Sequence, residues 1–149
     1  MLNTIIRNVA SFFTAVIAAY VLGAIFISQG NIARVIAMNF DVSLAQRFDA
    51  AIHDVMHMTD IYLPIIAVSF LIAMPVAALI IKYVPNLRMI GYALAGAAGL
   101  IAIHLIMKSV LGFSGIAPTR TAVGLLAQAI AGGVGGYLFH LLSMKRVSQ

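Results

Sequence analysis

Between positions 49 and 60 the chain reads DAAIHDVMHMTD, with two histidines, two methionines and three of its four aspartates. Imidazoles and carboxylates bind metal ions and carry protons, so this is where side-chain chemistry is densest. His53 and His57 stand at i,i+4, the spacing at which two rings on one helix converge on one ion. Asp49 and Asp60 fall on the same stripe and would add oxygen ligands, so Asp49, His53, His57 and Asp60 form a candidate metal site for zinc or copper. Met56, at the edge of the stripe, offers a thioether and tilts the choice towards copper, whereas Met58 points the other way. No other cofactor is predicted. A plainer reading needs no ion: the stripe is the wet face of an amphipathic helix. That reading leads, because an H-x-x-x-H pair alone is a weak metal signal. A pH-responsive or partner-binding face is the third alternative.

A second polar group lies inside apolar sequence. His104 and Lys108 are again i,i+4, Gln128 falls at similar depth, and Arg120 stands with Thr121 at the mouth of the last apolar run. Ionisable groups in hydrocarbon cost several kcal/mol unless they pair, snorkel or meet water, so they turn to a bundle interior. Lys108 is near enough to the interface to snorkel; His104 is expected to hydrogen-bond to another helix. Asp60 is a natural partner for Lys108 or Arg120. His104, Lys108, Gln128 and Arg120 are therefore expected to form an intramembrane polar pocket over which the Asp/His stripe closes. His140 lies too far away in depth to join it, which also disfavours haem ligation by His104 and His140.

The elements that must position these groups follow from composition. Of 149 residues, 63% are hydrophobic and only 9% charged; mean hydropathy is +1.08. A soluble domain carries about a quarter charged residues, so this chain belongs in a lipid bilayer. Apolar runs at about 9–28, 61–81, 89–111 and 122–142 each have the roughly 20 residues a spanning helix needs. They show no alternation and are too long for barrel strands. The first run is too long for a signal-peptide core and reads as an uncleaved anchor. Breaks are expected at Gln29-Gly30-Asn31, at Pro85-Asn86 and from Gly112 to Pro118. Pro75 falls mid-span and is expected to kink the second run.

The long loop at 29–60 is not structureless. Ser43-x-x-Gln46 is a capping box, and from it Leu44, Phe48, Ala51, Ile52 and Val55 share one helical face opposite Asp49, His53 and His57. The helix at about 43–58 is expected to lie along the outer interface, ending near Thr59 or Asp60, either of which would cap the second span. The fold class is thus an all-α membrane protein: one integral membrane domain, a four transmembrane helix bundle with an outer amphipathic interfacial helix between the first two spans. Small residues at Ala95, Gly96 and Gly99 match Gly132 and Gly136 on the last span and predict close packing of the third span on the fourth, with homo-oligomerisation through the same face as the rival.

Basic residues orient the bundle. Arg7, Lys82, Arg88, Lys145 and Arg146 fall on one side, and Arg34, Arg47, Arg120 and Lys108 on the other. The positive-inside rule then favours a bacterial cytoplasmic membrane with both termini in the cytoplasm and the 29–60 loop outside. Scattered basic residues of this kind do not suggest nucleic-acid binding. The chain has no Glu, no Cys and no nucleophile elbow, which weighs against an enzyme. Two classes of function remain. One is a small non-catalytic accessory, assembly or scaffold subunit, partnered by the bilayer and by a homo-oligomer or larger membrane complex. The other is an oligomeric transporter or channel-like protein handling protons or metal ions through the outer polar pocket.

Overall fold

The computed structural model describes residues 2–112 and 115–144; the expected break around Phe113 and Ser114 and the basic pair Lys145 and Arg146 lie outside the described residues. Within them the chain forms α1 (Leu2–Ala37), α2 (Leu44–His57), α3 (Tyr62–Ile81), α4 (Arg88–Leu111) and α5 (Ala122–Ser143), with 3-10 turns at Pro85–Leu87 and Ala117–Arg120. Helices α1, α3, α4 and α5 are each long and apolar enough to cross a membrane. A helix is the economical solution there, because it satisfies its own backbone polar groups where no water is at hand.

The four long helices close a ring in the order α1, α5, α4, α3. Neighbours run antiparallel: Gly23 lies by Gln128 while Ala15 lies by Gly135, and Gly99 lies by Ser69 while Gly91 lies by Ile81. This is an up-and-down bundle with α2 inserted in its first connection. Phe70 of α3 reaches across the ring to Gly135, and Ile66, Phe70, Leu100 and Ala131 are fully buried at its centre.

The tightest seam joins α4 to α5. A Cβ on Gly96 would run into the Gly132 carbonyl, and one on Gly136 into the carbonyl of Tyr92, so the two backbones touch. Lipid removes the hydrophobic drive between helices, and close van der Waals approach takes its place. Only part of the expected small-residue face takes part. Gly96 meets α5, but Gly99 turns to Ser69 and Ala73 of α3. With Ala95, Gly99 lines an apolar groove of about 600 Å³ between α3 and α4.

The first helix corrects the expected boundary. Gln29-Gly30-Asn31 does not break it; α1 continues to Ala37, leaving a short connection before α2 instead of a loop from 29. A helical glycine costs about 1 kcal/mol relative to alanine, and three tertiary contacts offset that cost here. Gly30 packs against the Pro118 ring. The Gln29 amide donates to the Arg47 carbonyl at 3.2 Å, and the Arg34 guanidinium donates to the Ala117 carbonyl at 2.7 Å. The stop comes at Asn39, which takes the left-handed conformation at φ 65°. The amide of Phe40 bonds back to Val35 and that of Asn39 to Ile36, closing a Schellman motif.

Ser43 and Gln46 form the capping box that opens α2. The helix does not cross α1 but runs back alongside it, since Arg47 meets Gln29 and Val55 meets Tyr20. Neither Thr59 nor Asp60 caps α3; Ile61 precedes it with no side-chain cap. Pro75 sits inside α3 without ending it. Gly112 closes α4 at φ 71°, and Thr121 caps α5 by accepting from the Gly124 amide.

The α4/α5 seam makes a selective prediction. Gly96→Ala is expected to destabilise the bundle by about 1–3 kcal/mol, the usual cost of overpacking. Gly133→Ala, whose new methyl meets only ordinary contacts at 3.7 Å and beyond, is expected to be neutral or stabilising. Thermal melting of both variants in detergent checks the contrast.

Candidate functional site

The polar groups that converge do so around Tyr62, the first residue of α3. Its hydroxyl donates to the Gln128 side-chain carbonyl of α5, and the Gln128 amide in turn donates to the Gly23 carbonyl of α1 at 3.3 Å. Gln128 is 0% exposed and Tyr62 1%. Gly23 makes this possible, because a Cβ there would strike the Tyr62 hydroxyl. Three helices are thus joined through one buried chain of hydrogen bonds.

Two further rings complete the cluster. The Tyr20 ring lies 5.8 Å from that of Tyr62, and its hydroxyl donates to the Val55 carbonyl of α2 at 2.6 Å. The His104 ring lies edge-on to Tyr62 at 6.4 Å. His104 is buried; its Nδ1 bonds to the Leu100 carbonyl at 2.7 Å one turn earlier. Among the described residues its buried Nε2 has no hydrogen-bond partner.

Of the expected pocket, therefore, His104 and Gln128 come together, linked by Tyr62. Lys108 and Arg120 do not join them: both are exposed. Lys108 lies one turn beyond His104 on α4 and is exposed. His57 and Asp60 are also exposed, so the stripe does not close over the cluster. What reaches inward from α2 is the Val55 carbonyl, taken by Tyr20.

The Asp/His stripe itself stays on the outside of α2. The His53 and His57 rings stack 4.1 Å apart, and His57 Nδ1 is taken up by the His53 carbonyl at 2.8 Å. His53 Nδ1 faces Asp54 at 3.4 Å, and Asp60 accepts from Thr59. Among the described residues no three histidine, cysteine or acidic side chains gather closely enough to hold a metal ion. Asp49, His53 and His57 are exposed on α2, and Asp60 is exposed just beyond its end.

At the opposite end, a separate fastening ties α4 to α5. The Arg88 guanidinium donates to the Ser143 hydroxyl at 3.0 Å and lies over the Tyr92 ring at 5.6 Å. Ser143 donates to the His140 carbonyl, and His140 is buried beside Tyr92 and Tyr137, remote from the Tyr62 cluster.

Sequence reasoning passed over both tyrosines. Tyrosine is common at membrane interfaces, and Tyr62 at the head of a span resembles such an anchor. Tyr20 carried the better signal, since it falls well inside the first apolar run, where a phenol needs a partner.

Fold and cluster together define a polytopic helical bundle with four helices fit to span a membrane, stitched by a buried Tyr–Gln–backbone relay. Compared with protein-family models, characterised proteins and solved structures, the chain matches none.

The relay is expected to behave as a coupled pair. Tyr62→Phe leaves a buried acceptor short of a donor, at a cost of about 1–3 kcal/mol. The double variant Tyr62→Phe/Gln128→Leu should lose less than the sum of the single variants, by about 0.6 kcal/mol, the average for interhelical hydrogen bonds in membranes. Additive losses in equilibrium unfolding would show that the two side chains do not interact.

Proposed function

We propose that this protein is a non-catalytic accessory or assembly subunit of a membrane complex. The observation that carries the reading is the closure of the polar cluster: Tyr62 and Gln128 are spent on each other and on the Gly23 backbone. The tight glycine seam is likewise used within the chain, between α4 and α5. A surface available to a partner is the apolar groove between α3 and α4, bordered by small residues such as Ala73, Ala98 and Gly99. Small residues there let another helix come close.

The transporter reading has one observation in its favour, the unpartnered Nε2 of His104 beside Tyr62. In that reading His104 hands protons or binds a metal ion, and an assembly of several copies supplies the pathway. The distribution of basic residues supports an orientation with both termini in the cytoplasm and α2 on the outside. In that orientation α2 stands beside the outer end of α1, with Asp49, His53 and His57 exposed.

A photo-crosslinker at Ala98 in cells is expected to give a discrete adduct with a second protein in the assembly reading. Adducts with lipid alone, together with proton or metal flux into proteoliposomes that His104→Ala abolishes, would replace it with the transporter. The orientation is checked separately, and the absence of cysteine makes single-cysteine variants clean. Asp49→Cys should react with an impermeant maleimide on intact cells, and Asn86→Cys only after permeabilisation.

A further inference from the structure

The groove between α1 and α2 has a polarity of its own. It encloses about 550 Å³, within the range of ligand clefts. Along one end its walls are Val21 and Ile25 of α1 with Ile52 and Met56 of α2; at the other stand Gln29 and Arg47. Among the described residues Arg47 is the only charged one on its lining, and the acidic residues of α2 lie off it. Among the described residues the Arg47 guanidinium has neither a hydrogen bond nor an ion pair, although its backbone carbonyl is held by Gln29.

The described residues leave much of the apolar wall uncovered. Phe48 is 69% exposed, Ile52 61% and Met56 67%, a row of large side chains at i,i+4 that water would not tolerate as a bare patch. The depth of the groove is set by α3. Its first residue, Tyr62, sits beside Gly23, between the levels of Val21 and Ile25. The apolar end of the groove therefore lies where α3 enters hydrocarbon. Gln29, with Arg47 beside it, lies six residues further along α1, about 9 Å at 1.5 Å per residue. That offset places Arg47 among the lipid headgroups, which add roughly 5–7 Å to each side of the hydrocarbon.

We propose that this groove binds an anionic phospholipid, with an acyl chain along Val21, Ile25, Ile52 and Met56 and the phosphate on Arg47. One cation at one end of an apolar channel matches an amphiphile with a charged head and an apolar tail. A partner helix would leave that cation unanswered along an otherwise uniform face. Arginine suits the role, because its planar guanidinium donates two parallel hydrogen bonds to phosphate oxygens. The proposal is independent of whether the bundle serves as an assembly subunit or a transporter.

Native mass spectrometry of the full chain tests it, with phosphatidylglycerol and phosphatidylcholine of identical chains as probes. The wild type is expected to retain phosphatidylglycerol about fivefold better, the contribution of one basic residue near an anionic surface. Arg47→Gln should erase that preference. Ile52→Trp, which fills the groove, should reduce retention of both lipids. Lys108→Gln, which removes an exposed cation outside the groove, should change nothing. Each variant is first required to melt as the wild type does, with Val21→Trp as the replacement for Ile52→Trp if that variant fails to fold. Equal retention of the two lipids by the wild type overturns the proposal. So does a preference that survives Arg47→Gln or that falls as far with Lys108→Gln. A groove filled by tryptophan with lipid retention unchanged overturns it too.

Discussion

The bundle depends on how closely α5 lets its neighbours approach. Gly132 and Gly136 bring its backbone against α4, while Gly135, on another face, admits Phe70 and the Ala15 backbone. A helix with methyl groups at these positions would hold α4 and α1 further away. Gln128, two turns earlier on α5, then could not reach the Gly23 carbonyl, and Tyr62 would have no acceptor at its end. The polar relay is thus a consequence of the glycine seam. In lipid, where apolar surface gains nothing by leaving its solvent, packing of this kind has to supply what burial supplies in water.

Beyond the centre, the ends of the bundle are fastened by arginines to oxygen atoms. Arg34 takes the Ala117 carbonyl on the side of α2, and Arg88 takes the Ser143 hydroxyl at the other end. Both bonds tie a helix to a segment distant in sequence, so they fix the ring closure rather than local structure. The outward faces of α3 and α4 and the apolar stripe of α2 have no such fastening. They are the surfaces turned to lipid or to a partner.

The four spans were legible because twenty-residue apolar runs leave a bilayer chain few alternatives. The capping box of α2 was legible because Ser43 and Gln46 are a local pattern. The end of α1 was not: Gly30 reads as punctuation, and only contact with Pro118, 88 residues away, makes it a packing residue. Asn39, the true stop, is unremarkable without its backbone conformation. The candidate site was half legible. Depth along the spans paired His104 with Gln128, but depth says nothing about azimuth, and Lys108 and Arg120 turn outward at a similar level. Tyr62 was hidden by its position at a span end, where tyrosine needs no special explanation. For the Asp/His stripe, helical periodicity predicts a shared face, but periodicity alone does not give the distances between side chains.

The pairing of α1 with α5 also bears on how the chain is made. Ala15 meets Gly135 and Gly23 meets Gln128, partners separated by more than a hundred residues. Helix α1 is synthesised before α5 and must therefore wait for it. Until α5 arrives, the Gly23 carbonyl has no glutamine and Ala15 has no Gly135 backbone to rest on. Contacts so far apart in sequence form late, and a chain caught before they form exposes unfinished surface.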